Sequence, residues 1–184
     1  MTANTDQQAF LDFLQGKGDA AGAVPRRSKV RRPYLYFAYG SNLNLAQMRH
    51  RCPQAEVLGA YTLQGWQLAF RGVADCIETD GAECTGGLFK IYPACEDALD
   101  RYEGFPRLYG KQYVTDPTHG LIMLYTMNKG DLAFPNRGYL STIKEGYTDF
   151  GLDRQALFEA IQWTEDHMTP AGLEADRRAV LATH

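Results

Sequence analysis

An uncharged aromatic run, Tyr34-Leu35-Tyr36-Phe37-Ala38-Tyr39, breaks off abruptly at Gly40-Ser41-Asn42. A stretch this apolar favours a pleated, buried surface, and the glycine-led polar triplet stops it in a tight turn. A helix is expected at once. Asn44 with Gln47 resembles a capping box, Leu45, Met48 and the stem of Arg49 continue a helical face, and Cys52-Pro53 ends it. Whatever this chain folds into must bury that strand and carry a capped helix just beyond its end.

The segments that follow favour strands. Val57 to Tyr61 and Trp66 to Arg71 are short apolar stretches around a turn at Gln64-Gly65, and Thr85 to Tyr92 is another after a turn at Asp80-Gly81. Pro93 suits the first position of a helix that runs to Tyr102, with Leu99 and Tyr102 spaced to pack together and Gly104 as its stop. Tyr109 to Thr115 and Leu121 to Met127 pair as a hairpin across Asp116-Pro117-Thr118-His119-Gly120. The remainder reads as helical: Arg137 to Lys144 closed by Gly146, then Leu152 to Met168 with Leu157, Ile161 and Phe158 facing inward. Strands and helices do not alternate regularly, which excludes a doubly wound sheet. The fold class is α+β, with a small mixed, strongly curved β-sheet or barrel and flanking helices.

Residues 1–33 are different in character. Asp6 to Leu14 has the pattern of a short amphipathic helix, Gly16 to Val24 is rich in small residues, and Arg26, Arg27, Lys29, Arg31 and Arg32 crowd before Pro33. The expectation is a short helix and a basic flexible linker ahead of a domain over 34–184. The linker reads as a solvated tether or as an arm that docks a protein partner or a polynucleotide. With 19 basic against 22 acidic residues the net charge is −3, so nucleic acid is not expected as the main partner. Met1 to Phe13 is polar and acidic where a secretory signal is basic and then apolar, no apolar run is long enough to cross a bilayer, and a cytoplasmic address is the expectation. Cys52, Cys76, Cys84 and Cys95 form no C-x-x-C pair and the histidines lie far apart, so free buried thiols are expected and no metal site.

Three features carry chemistry. The turn at Tyr39-Gly40-Ser41-Asn42 leaves backbone N–H groups without an intrachain partner, as in cradles for carboxylates or oxyanions, although the same triplet also serves as an ordinary connector. Glu103 ends a predicted helix, where the macrodipole and the acidic Asp97 and Asp100 all raise a carboxyl pKa, as suits a general base; its plainer reading is a surface glutamate beside a stop. Tyr102, Tyr109, Tyr113, Tyr125 and Tyr139 are either core fillers or the wall of a polar pocket. Asp166-His167 reads as a polar helix face, since no serine or cysteine elbow, phosphate loop or dinucleotide fingerprint accompanies it.

Taken in order, Tyr36-Phe37-Ala38-Tyr39-Gly40-Ser41-Asn42-Leu43, Phe70-Arg71-Gly72-Val73-Ala74-Asp75-Cys76-Ile77, Gly86-Gly87-Leu88-Phe89, Leu99-Asp100-Arg101-Tyr102-Glu103-Gly104 and Pro135-Asn136-Arg137-Gly138-Tyr139-Leu140 resemble the gamma-glutamylcyclotransferases, AIG2-like proteins included. The resemblance implies a small mixed β-barrel and a cofactor-independent enzyme. In such an enzyme the α-amine of a γ-glutamyl compound attacks its own γ-carbonyl, giving 5-oxoproline and releasing an amino acid, peptide or amine; glutathione is one candidate substrate. It further implies Glu103 as catalytic acid and base, with Tyr39, Gly40, Ser41, Asn42, Leu43, Tyr125 and Tyr139 binding a small-molecule γ-glutamyl substrate. Removal of a γ-glutamyl protecting group in a biosynthetic pathway, or a non-catalytic binding or interaction module on the same fold, are the alternatives, and a homodimer stays open. The chain departs from the family pattern at Gly87, where a branched aliphatic is usual, at Asp153, where proline is common, and before Pro33.

Overall fold

The structure is a computed structural model and describes residues 33–182. The helix expected over 6–14 and the basic linker after it lie outside the described residues. The aromatic run forms β1 (Tyr34–Ala38) at the centre of a five-stranded sheet ordered β2-β3-β1-β5-β4. It pairs antiparallel with β3 (Ala74–Ile91) and parallel with β5 (Gly120–Met127). Both of its edges are therefore satisfied and both faces are covered from Tyr36 onward, which is why the run lacks apolar–polar alternation.

The outer strands are β2 (Glu56–Phe70) and β4 (Tyr109–Asp116), and the sheet curls until their side chains meet. The Tyr61 hydroxyl donates to Asp116 Oδ2 at 2.7 Å, and the Tyr61 ring meets His119 edge-on with 5.5 Å between centroids. The mixed, curled sheet and its helices match the expected fold class. The β4–β5 hairpin is in register from Tyr109↔Met127 to Asp116↔Gly120, across the turn read from the sequence.

Five α-helices flank the sheet among the described residues: α1 (Leu45–Arg51), α2 (Pro93–Glu103), α3 (Arg137–Asp149), α4 (Arg154–His167) and α5 (Pro170–Ala182). Their starts follow local chemistry. Asn44 Oδ1 accepts from Gln47 N at 3.0 Å, Asn136 Oδ1 from Tyr139 N at 2.9 Å, and Asp153 Oδ1 from Gln155 N at 2.9 Å, while Pro93 opens α2. Only half of the expected capping box at Asn44 forms, because the Gln47 side chain accepts from Arg51 instead.

Several sequence expectations are corrected. Gln64-Gly65 and Asp80-Gly81 are not turns between short strands; β2 and β3 run through them as one long ladder. The register steps from Gln64↔Glu83 to Trp66↔Glu78, so the left-handed Gly65 and Gly81 shape a bulge, and the reversal lies at Arg71–Val73. Gly146 does not close α3 but lies inside it, buried, where a Cβ would come 2.4 Å from Leu43 Cβ. Phe158 points outward at 56% exposure, leaving Leu157 and Ala160 as the buried side chains of α4 alongside Thr164. Leu99 enters the core, whereas Tyr102 is 46% exposed and stacks under Arg51 rather than joining it. All four cysteines are free and buried.

Candidate active site

The end of β1 sets the geometry. Past Ala38 the chain bends through Tyr39 and Gly40 into a single 3-10 turn, Ser41–Leu43, whose three side chains are buried. Leu43 N–H donates to Gly40 O at 3.0 Å and Asn44 N–H to Ser41 O at 3.2 Å, so these amides are spent inside the turn. Of the two amides that open the turn, that of Ser41 is taken by the Tyr139 hydroxyl, while that of Asn42 meets no acceptor inside so short a helix.

A small hollow lies beside this turn, about 280 Å³ with the open solvent at its mouth included, lined by Tyr36, Tyr39, Gly40, Ser41, Asn42, Ala74, Glu103, Tyr109, Tyr125 and Tyr139. Each wall comes from a different element. Glu103 is the last residue of α2, released into the site by the left-handed Gly104 behind it. Tyr109 opens β4, Tyr125 lies on β5, Ala74 opens β3, and Tyr139 stands in the first turn of α3.

Glu103 Oε1 accepts from Asn42 Nδ2 at 2.8 Å. Burial pushes the carboxyl up from its ordinary 4.5 to about 7, against the opposing pull of the Asn42 hydrogen bond and the Arg51 charge. The expected contribution of neighbouring acids is not the cause: Asp100 is ion-paired to Lys111 at 2.7 Å and accepts from the Tyr125 hydroxyl at 2.5 Å. Asn42 is fully engaged as a donor, since the same Nδ2 also donates to the Tyr36 hydroxyl at 2.8 Å, and its Oδ1 accepts from Arg51 Nη1 at 2.7 Å. A ligand can therefore use the backbone N–H of Asn42 but not its side-chain amide.

The tyrosine hydroxyls are sorted by what they already do. Those of Tyr39, Tyr109 and Tyr125 donate to Tyr125 O (2.5 Å), Ala74 O (2.8 Å) and Asp100 Oδ1 (2.5 Å), which leaves only lone pairs for a guest. The Tyr139 hydroxyl instead accepts from Ala74 N–H at 3.1 Å and from the Ser41 backbone, and so keeps its proton to donate. Burial pushes Tyr139 up to about 12, so that proton stays in place near neutrality.

Of the residues singled out in the sequence, Tyr39, Gly40, Ser41, Asn42, Glu103, Tyr109, Tyr125 and Tyr139 surround one hollow. Leu43 does not: it is wholly buried beneath Gly146 in the core. Tyr113 is 44% exposed and off the site, and Tyr102 stands outside the lining, its hydroxyl 3.0 Å from Ser41 Oγ. Asp166 is exposed, and His167 stacks on Trp163, consistent with a polar face. Sequence reasoning missed Tyr36, Ala74 and Arg51 as parts of the site. Strand alternation puts Tyr36 opposite Tyr39, and only the bend after Ala38 brings both to one hollow.

The sequence model described as "Gamma-glutamyl cyclotransferase, AIG2-like" matches residues 36–146, a span that contains every residue lining the hollow. The chain belongs to the gamma-glutamyl cyclotransferase, AIG2-like family. A curated relative, the gamma-glutamylcyclotransferase of Bos taurus, is 32% identical over 95 residues, covering 45% of this chain and 50% of that protein. The chain thus spans about half the length of the curated relative it matches. Three solved structures share the fold. An uncharacterized Homo sapiens protein superposes with a TM-score of 0.60 at 24% identity over 76% of this chain and 89% of that one. A gamma-glutamyl cyclotransferase does so at 0.60 and 23% over the same shares, and YkqA from Bacillus subtilis at 0.59 and 22% over 76% and 56%. Two departures from the AIG2-like pattern have structural accounts. A Cβ at Gly87 would sit 2.4 Å from the Phe150 ring, which occupies the space a branched side chain would fill, and Asp153 caps α4 with its carboxylate.

Proposed function

We propose that this chain is a γ-glutamyl cyclotransferase acting on a small γ-glutamyl amino acid, peptide or amine. The observation that carries the reading is a buried carboxyl poised near pH 7, that of Glu103, sharing one hollow with the turn at Gly40–Asn42. Ionised, it takes a proton from the substrate's α-ammonium. The freed amine attacks the γ-carbonyl carbon and closes a five-membered lactam, passing through a tetrahedral oxyanion. As that intermediate collapses and the C–N bond to the leaving group breaks, Glu103 returns this proton to the departing nitrogen, then takes the second proton that the α-nitrogen sheds in becoming the lactam N–H and passes it to the released amine. Products are 5-oxoproline and the released amine in its ammonium form; two protons have passed from the α-nitrogen to the leaving nitrogen and Glu103 is ionised again, so atoms and charge balance without a redox step or carrier and the reaction as written calls for no cofactor.

The rest of the hollow suits such a zwitterion. The backbone N–H of Asn42 and the Tyr139 hydroxyl are donors for the carboxylate or the oxyanion, at roughly 3 kcal/mol per well-placed donor. The lone pairs of Tyr109 and Tyr125 are acceptors for the ammonium. The family and the name of the bovine relative support the same class. The test is mass-spectrometric detection of 5-oxoproline from a mixture of γ-glutamyl compounds, glutathione included. Glu103→Gln keeps the shape and should lower turnover by about 10²–10⁴-fold. Parental turnover in that variant, or no 5-oxoproline from any compound with the parent, defeats the proposal. In the parent, kcat/KM should rise with pH along a limb centred near 7, as the carboxyl ionises.

A further inference from the structure

We propose that Arg51 is a positioning residue for Glu103, acting through the side-chain amide of Asn42. The inference rests on the cyclisation reading for its kinetic consequence, but not for its geometry. Arg51 is the last residue of α1, and its guanidinium is held on three sides. Nη1 donates to Asn42 Oδ1 at 2.7 Å, Nη2 donates to Gln47 Oε1 at 2.6 Å, and Cζ lies 3.6 Å from the centroid of the Tyr102 ring. Tyr102 is itself tied to the turn through Ser41 Oγ at 3.0 Å. No carboxylate pairs with Arg51 among the described residues.

An amide side chain can be turned end for end at little steric cost; a guanidinium removes that freedom because it only donates. With Arg51 against it, Asn42 must present Oδ1 outward, and its nitrogen then faces Tyr36 and Glu103. Both N–H bonds are used, one to the Tyr36 hydroxyl and one to Glu103 Oε1, each at 2.8 Å. This pins Oε1 and leaves Oε2 as the oxygen that takes and returns the proton. The reversed amide would set a carbonyl against the carboxylate and an N–H against the guanidinium, and both contacts repel.

The interposed amide also sets how strongly the cation acts. Direct pairing with arginine lowers a carboxyl by about 1–3 pH units, which would undo much of what burial achieves and leave a weak base. One amide further away, Arg51 pulls Glu103 down only partly, and the carboxyl stays near neutrality. The other titratable groups whose charge couples to Glu103 are the hydroxyls of Tyr36 on β1, Tyr39 after it, Tyr109 on β4 and Tyr139 on α3. Burial pushes all of them up, so they remain neutral through the range in which Glu103 titrates.

The test uses the full chain with ¹³C-labelled glutamate, following the carboxyl resonance that Glu103→Gln removes. In Arg51→Met the Glu103 midpoint should move upward, because a cation is lost. In Arg51→Lys, which keeps charge but not the fork, it should stay near the parental position. For 5-oxoproline release, kcat should fall about tenfold or more in both variants with KM within about threefold, since a small misplacement of the base costs on that order. An unmoved midpoint in Arg51→Met, or parental kcat in both, overturns the proposal. Should Arg51→Met not fold, Arg51→Lys decides by its kcat alone. If the parent releases no 5-oxoproline, the cyclisation reading fails while the carboxyl titration still decides the role of Arg51.

Discussion

The Glu103 carboxyl is held in its acid form well above the pH at which an unfolded glutamate ionises, and that has an energetic consequence. Its pKa rises from 4.5 to about 7 on folding, so between these values the folded chain keeps a proton that the unfolded chain has released. Stability from this group is fully present below pH 4.5 and is lost as pH rises to 7. At about 1.4 kcal/mol per pH unit over the roughly 2.5 between the two values, the loss is about 3 kcal/mol. Glu103→Gln has no such loss and its amide oxygen can still accept from Asn42. Urea unfolding should therefore show the variant gaining on the parent by about that amount between pH 4.5 and pH 8, while it loses turnover. An equal difference at both pH values would show that the carboxyl is not buried in its charged form. The sequence marks this glutamate as unusual because it ends a helix beside a stop signal. The actual source of its shift was not legible there: burial comes from Tyr36, Tyr109 and Tyr139, which reach the hollow from three distant elements.

At the scale of elements, α3 seats against the sheet through an exchange of volume. Gly87 on β3 leaves a space that the Phe150 ring fills, and that ring also meets Phe89 edge-on with 5.4 Å between centroids. Gly87→Val overpacks this seat and should cost about 1–3 kcal/mol, while Phe150→Ala opens a cavity and should cost about 2–4 kcal/mol. The two changes together should cost less than their sum by at least about 1 kcal/mol, since each supplies what the other disturbs. Denaturant midpoints measure this directly, and strict additivity would show that the ring and the glycine do not share the space. Because α3 carries Tyr139, Gly87→Val should also raise KM. Helix starts were readable because a cap is a contact between residues two or three apart. Gly65 and Gly81 were not, because a left-handed glycine serves equally in a turn or a bulge, and only the partner strand decides which.

For the molecule as a whole, the decisive contacts are the long-range ones, and they are where the sequence is least informative. The parallel pairing of β1 with β5, Leu35↔Ile122 and Tyr36↔Met123, has no local signature, yet it brings Tyr125 to the turn after β1. Holding that arrangement is a buried anchor. Asp75, 2% exposed, accepts from Arg71 Nε at 2.8 Å, from Cys76 N–H at 2.9 Å and from Met127 N–H at 2.8 Å, while the Arg71 guanidinium also donates to Gly130 O. The β2–β3 hairpin is thereby joined to the end of β5 beside Ala74, whose N–H and C=O hold Tyr139 and Tyr109. Asp75→Ala removes one carboxylate and strands two backbone donors. It should cost about 2–4 kcal/mol, toward the low side of a broken buried pair because Arg71 keeps 22% side-chain exposure. The exposed pair Lys90–Glu56, broken by Lys90→Ala, should cost under about 1 kcal/mol. Measured side by side in urea, equal costs would mean that Asp75 is not an anchor. A larger cost at Asp75, with a fall in 5-oxoproline release that Lys90→Ala does not share, would tie the joint between hairpins to the shape of the hollow.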